Sequence, residues 1–311
     1  MATELSNLTF TEQDDIVPAF GVEQILNTGI ANTLAGNDRI TGVGAAGGYG
    51  IANPGGTLNT GNGDDRITGI VYNSTNEYDS GFTTSGNFNS GDGNDRITGF
   101  GPIGISHYGQ YDRYTGTFSQ FKTEEGNDII TGIGSNIGLA NYGSYIFTGS
   151  GNDIIIGSGG SIGINNERGY AGSGGIYTEE GNDIIIGSGQ IGIRNASIDT
   201  GHGNDSIIAN GGFDGYASVV LGYGNDYLKG FGRGNYFGTG NYYQPPLDED
   251  TLELTSGSYT VSYTVHEYQG TAVSFTKEGI IMNTFQFEKL IAGSTTYDFS
   301  SLTEGQTIVV A

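Results

Sequence analysis

Residues 60 to 69 read TGNGDDRITG: two glycines alternating with Thr60 and Asn62, then Asp64 and Asp65, then one large apolar residue, Ile67. Glycine supplies backbone freedom and the aspartates negative charge, both immediately before a segment that alternates polar and apolar. The phrase returns as SGDGNDRITG at 90–99, TGSGNDIIIG at 148–157 and TGHGNDSIIA at 200–209. Its closing aspartates are Asp38, Asp65, Asp95, Asp128, Asp153, Asp183, Asp205 and Asp226, between 21 and 33 residues apart. A longer echo, TEEGNDII, stands at both 123–130 and 178–185.

Between phrases lie short period-two runs such as Ile103/Ile105, Ile162/Ile164 and Tyr145–Thr148, separated by glycine. Alternation marks strands with one buried face. Only Val22–Leu26 offers a short 3.6-residue period. One unit cannot bury its apolar face alone, but stacking identical units puts Ile97 of one coil against Ile130 of the next. A β-sandwich would use turns of several chemistries, whereas one turn recurs here. The expected fold is therefore all-β, a right-handed parallel β-solenoid of about eight coils with a β-rich C-terminal cap. The expected boundaries are an N-terminal cap at 1–32, a solenoid at 33–244 and the C-terminal cap at 245–311.

Composition narrows the function. The chain has 311 residues, 58 of them glycine, and a net charge of −23 from 34 acids against 11 bases. That balance excludes nucleic acid and anionic membranes as expected partners, because phosphate recognition needs basic patches. Twenty tyrosines and fifteen phenylalanines give a core enough apolar area despite the glycine. Without cysteine there is neither a disulfide nor a thiolate metal site. The opening MATELSNLTFTEQDD lacks a basic start followed by an apolar run, so no cleaved leader is expected, and no segment is apolar enough to insert in a membrane.

A glycine-rich turn closed by aspartate offers carbonyl and carboxylate oxygens to a cation. Calcium takes six to eight oxygens, about twice what one turn supplies, so stacked turns would share each ion. The candidate ligating turns are Asp38; Gly61, Gly63, Asp65; Gly91, Gly93, Asp95; Gly126, Asp128; Gly149, Gly151, Asp153; Gly181, Asp183; Gly201, Gly203, Asp205; and Gly222, Gly224, Asp226. Up to about seven Ca2+ ions would fit between them, offsetting fourteen of the twenty-three negative charges. The bland alternative is a turn that only closes a corner, with Asn left-handed and Asp bonding nearby amides.

These phrases resemble the nonapeptide of the RTX, or hemolysin-type, calcium-binding proteins, written G-G-x-G-x-D-x-U-x. The resemblance implies a calcium-loaded parallel β-roll, type I secretion and folding outside the cell. The final DTLELTSGSYTVSYT…FEKLIAG is similar to the strand-rich segment that carries the uncleaved secretion signal in that family. The chain departs from the pattern in three ways. Its phrases come singly, so one edge alone would be loaded. Thr60, Ser90, Thr148 and Thr200 replace the first glycine, and Leu34, Glu124 and Glu179 replace the second.

Other features have weaker claims. Arg39, Arg66 and Arg96 give way to Ile129, Ile154 and Ile184 just after the aspartates, and Thr41, Thr68, Thr98 and Thr131 to Ile156, Ile186 and Ile208 two residues on. The isoleucine patch meets either the C-terminal segment or a wide loop folded back over it, or a protein partner. Tyr108, Tyr111, Tyr114 and Phe118, and Tyr236, Phe237, Tyr242 and Tyr243, suggest aromatic loops for carbohydrate or protein contact, or a satellite of the core. His107, His202 and His266 share no metal-ligand spacing; a solenoid lyase or epimerase using calcium with Arg96 or Arg113, and ice binding by the threonine column, are minor alternatives. The expectation is a non-enzymatic, calcium-binding structural protein of the cell surface or extracellular matrix. It would be secreted, fold on binding calcium, and associate with itself or another surface protein. The alternative is an adhesin or carbohydrate-binding module that takes polysaccharide on its tyrosine loops.

Overall fold

A computed structural model describes residues 2–18, 23–112, 117–167, 174–239, 248–267 and 269–311. Each coil contributes three strand segments, and each segment pairs in parallel with its equivalent one coil away. The first face begins at the aspartate: Arg39–Gly44, Arg66–Val71, the start of Arg96–Tyr108, the start of Ile129–Tyr142, then Ile154–Gly159, Ile184–Ser188 and Ser206–Asn210. A second face holds Tyr49–Asn53, Ser80–Thr84, the ends of the two long strands, Ile162–Glu167 and Ile191–Arg194. The third runs from Ile30–Asn32 through Thr57–Asn59, Asn87–Asn89, Gln120–Lys122 and Tyr145–Phe147 to Ala217–Val220. The protein is all-β, with parallel strands in long sheets, a β-solenoid-like stack.

Register makes the core a set of columns. Ile40, Ile67, Ile97, Ile130, Ile155, Ile185 and Ile207 lie one above another, none more than 1 % exposed. Opposite them on the third face stand Leu58, Phe88, Phe121, Ile146, Ile176 and Ile198, all buried in the same cluster. Phe88 bridges coils, its ring 5.3 Å from Phe82 and 4.5 Å from Phe121. Burying each such side chain contributes about 1.5–3 kcal/mol, so the stack is stabilised rung by rung.

The same sheets take in both ends of the chain. Ala2–Glu4 pairs with Gln24–Leu26, which pairs with Tyr49–Asn53, and Ile16–Val17 pairs with Arg39–Gly44. At the other end Thr251–Leu254 and Lys289–Ala292 extend the first face, and Ile280–Phe285 extends the third. Gly257–His266, Gly270–Lys277 and Thr307–Val310 then pair antiparallel, ending the repetition.

The short 3.6-residue period noted at 22–26 does not produce a helix at 24–26, which are strand because Ile25 completes a core column with Ile51. Two expectations need correcting. The C-terminal strands pair at the end of the stack instead of folding back over the isoleucines; Ile129, Ile154, Ile184, Ile156, Ile186 and Ile208 are half-buried by their column neighbours. Tyr236 and Phe237 form no aromatic loop: they lie in the strand Gly234–Phe237 at 0 % and 2 % exposure. Tyr108 is 38 % exposed and stacks on Tyr142 at 4.9 Å. Arg113, Tyr114, Tyr242, Tyr243 and the Tyr111 side chain lie outside what is described. Among the described residues no helix is long and apolar enough to cross a membrane.

Candidate metal centre

The glycine-rich turns stack into one corner. Parallel bridges join residues 35 and 62, 125 and 150, 150 and 180, 180 and 202, and 202 and 223. Gly61, Gly91, Gly149, Gly201 and Gly222 take φ between 90° and 103°, and Gly63, Gly93, Gly126, Gly151, Gly181, Gly203 and Gly224 take φ between 133° and 141°. Leu34, Glu124 and Glu179 hold the same left-handed place as the first group, at φ 77°, 64° and 70°. The turn survives these substitutions, and at Glu124 and Glu179 the side chain reaches the surface rather than the buried corner. At the later position only glycine fits, since a β-carbon on Gly93 would lie 2.0 Å from the Gly63 carbonyl oxygen.

Inside the corner the aspartates form a continuous column. The Asp38 N–H donates to Asp65 Oδ1 at 2.7 Å, Asp65 to Asp95 at 2.8 Å, Asp95 to Asp128 at 2.8 Å and Asp128 to Asp153 at 2.8 Å. The series continues from Asp153 to Asp183, Asp205 and Asp226. A parallel, exposed column runs through Asn37, Asp64, Asn94, Asn127, Asn152, Asn182, Asn204 and Asn225, each N–H donating to the preceding side-chain oxygen. These bonds satisfy donors that would otherwise be orphaned at a corner.

They leave one oxygen per aspartate unsatisfied. Oδ2 of Asp38, Asp65, Asp95, Asp128, Asp153, Asp183, Asp205, Asp226 and Asp250 is buried without a hydrogen-bond partner. Burial, reinforced by charge repulsion along the column, pushes Asp65 up to about 7, Asp128 to about 8, Asp183 to about 7 and Asp226 to about 7. Asp95 and Asp205 rise to about 6, burial again leading, and Asp38 and Asp153 also rise by burial. A neighbouring threonine or serine hydroxyl lowers seven of these carboxyls, from Asp38 to Asp205, but burial outweighs it, so nine desolvated carboxylates in one file call for either protons or cations.

The donor set suits a hard cation. Among the described residues no hydrogen bond reaches the carbonyls of Gly63, Gly93, Gly126, Gly151, Gly181 or Gly203, so the turns keep free carbonyl oxygens. No point gathers three or more carboxylate or imidazole side chains among the described residues, so backbone oxygens would have to complete any coordination shell. His107 takes no part. It is buried in the core against Phe121, with burial pushing its pKa down to about 4. His202 stacks on Tyr223 outside the column.

Two features escaped the sequence reading. The threonines in place of the family's first glycine are buried and bind the coils together: Thr33 Oγ1 donates to the Thr60 carbonyl at 2.6 Å, Thr60 to Ser90 at 3.0 Å, Thr123 to Thr148 at 3.0 Å and Thr178 to Thr200 at 3.1 Å. The column also runs on at both ends. The Asp15 N–H donates to Asp38, Asp226 to Asp250 at 3.0 Å and Asp250 to Glu288 at 2.8 Å. Asp250 rises to about 8 through burial. Its phrase, Asp248-Glu249-Asp250, has no glycine to announce it.

Comparison with known proteins brings no match, since no family model, curated protein sequence or solved structure aligns with this chain. The likeness of the turns to the hemolysin-type repeat therefore rests on the residues themselves.

Proposed function

We propose that the protein is a non-enzymatic calcium-binding structural protein whose right-handed β-solenoid is held along one corner by Ca2+. The observation that carries the reading is the buried file of carboxylates with idle Oδ2 atoms. Asp38, Asp65, Asp95, Asp128, Asp153, Asp183, Asp205, Asp226 and Asp250 would hold the ions, with turn carbonyls completing the shell. Bound calcium supplies positive charge that removes the repulsion and desolvation cost of neighbouring carboxylates. The chain's own part is to fix those oxygens through glycine turns and the Asp and Thr ladders.

The reading extends to the cell. At low cytosolic calcium the column disfavours folding, which suits passage through a type I exporter, and millimolar calcium outside favours the folded state by mass action. A surface or matrix role, with chains associating end to end or through the half-buried isoleucines, would suit a long regular stack. Circular dichroism and light scattering through a calcium titration of EGTA-treated protein test this. Strand signal should rise with calcium and particle size should follow; a strand signal and melting temperature indifferent to calcium would refute it.

A further inference from the structure

One residue past the aspartates of the acidic corner, the first face carries a cationic ladder. Arg39, Arg66 and Arg96 are direct register partners on adjacent strands, all exposed. Like charges one strand spacing apart, about 4.8 Å, repel, so the arrangement is unfavourable unless something anionic faces it. Among the described residues none of these guanidiniums has an ion-pair or hydrogen-bond partner, although the chain has 34 acids to offer. Four other bases, Lys122, Arg194, Lys229 and Lys289, are each paired with a carboxylate, whereas Lys277 meets a backbone carbonyl and aromatic rings.

Two further rows run beside the arginines on the same outward surface. Thr41, Thr68 and Thr98 form the next, half-buried, and Val43, Ile70 and Phe100 the one beyond. Across three coils the surface therefore presents a row of cations, a row of hydroxyl-bearing residues and an apolar row ending in an aromatic ring. A sugar acid offers the complement: a carboxylate, ring hydroxyls and an apolar C–H face. Each pyranose advances a linear chain by close to one coil, so successive carboxylates can meet successive arginines. A polynucleotide is a poorer match, because its phosphates recur about every 3.4 Å along a strand, out of step with the coil.

We propose that Arg39, Arg66 and Arg96, with the threonine and apolar rows beside them, bind a linear carboxylated polysaccharide along the solenoid axis. The arginines adjoin the carboxylate column, one residue beyond Asp38, Asp65 and Asp95, but stand on the exposed side of the sheet, and the EGTA arm of the test separates the two sites. The test is fluorescence anisotropy with a labelled uronic acid oligomer, short enough not to gel, at low ionic strength. It is run wherever circular dichroism shows the strand fold intact, in calcium and in EGTA. The wild type should bind, binding should weaken with added salt, and the methyl-esterified oligomer should not bind. The triple variant Arg39→Gln/Arg66→Gln/Arg96→Gln should keep its strand signal and bind at least tenfold more weakly. The single variant Arg66→Gln should fall between, which keeps the test decisive if the triple variant misfolds. No binding by the wild type, equal binding by a variant that has lost the arginines (calcium bridging to the acidic turns would look like this), or equal binding of single-stranded DNA would each overturn the proposal.

Discussion

A single dihedral separates Glu179 from the glycines it replaces. At φ 70° its backbone is left-handed, which costs a residue with a β-carbon about 1–2 kcal/mol. Glu179→Gly should recover that strain, less the roughly 0.5–1 kcal/mol by which glycine gains freedom in the unfolded chain. The net expected gain is about 0.5–1 kcal/mol, read by urea denaturation. Gly93→Ala should act in the opposite sense and more strongly, by about 3 kcal/mol or more, because its β-carbon would meet the Gly63 carbonyl. At Asp128 the sign depends on the solvent. Asp128→Asn removes a buried carboxyl pushed up to about 8 while keeping an Oδ1 acceptor for the Asp95 N–H. In EGTA near neutral pH its melting temperature should exceed wild type by a few degrees, at about 2–4 °C per kcal/mol. In saturating calcium it should fall below wild type. The same sign in both conditions would count against Asp128 as a ligand.

The columns are where sequence and structure agree most closely and where they part. A repeated turn with one apolar residue after it makes the coil legible, and Ile97 does lie on Ile130 in register. The threonine ladder was not legible, because Thr60 and Thr148 stand out only as departures from a glycine pattern until their hydroxyls are seen donating between coils. Asp250 was hidden for a related reason. Asp248 and Glu249 occupy the places of Gly and Asn, and only the bond from Asp226 shows that the column continues. Tyr236 and Phe237, flanked by glycines, read as loop; their burial comes from strand pairing with Ala217–Val220 and Ile280–Phe285, which local sequence does not encode.

For the whole molecule the carboxylate column sets the response to pH. Each of these groups has a folded-state pKa above its unfolded value of about 4, so the protonated form favours folding. Their stabilising contribution is complete below about pH 4 and is lost as pH rises through the 6 to 8 range of Asp95, Asp65 and Asp128. His107 acts oppositely: its depressed pKa contributes stability above about pH 6.5 that is lost as pH falls towards 4. One histidine is outnumbered by nine aspartates. Calcium-free protein should therefore melt at a higher temperature at pH 5 than at pH 8. Saturating calcium should reverse that order, because ligation requires the ionised carboxylates. A scan of melting temperature against pH with and without calcium reads both.

The most direct test of the cation-held corner is the number of metal ions retained by the folded chain. Protein stripped with EGTA, dialysed against millimolar calcium and analysed by elemental mass spectrometry should carry several Ca2+ per chain. The count should drop by one or two in Asp128→Asn. A chain that folds fully and retains no calcium would contradict the account, leaving the buried carboxylates to be held by protons alone.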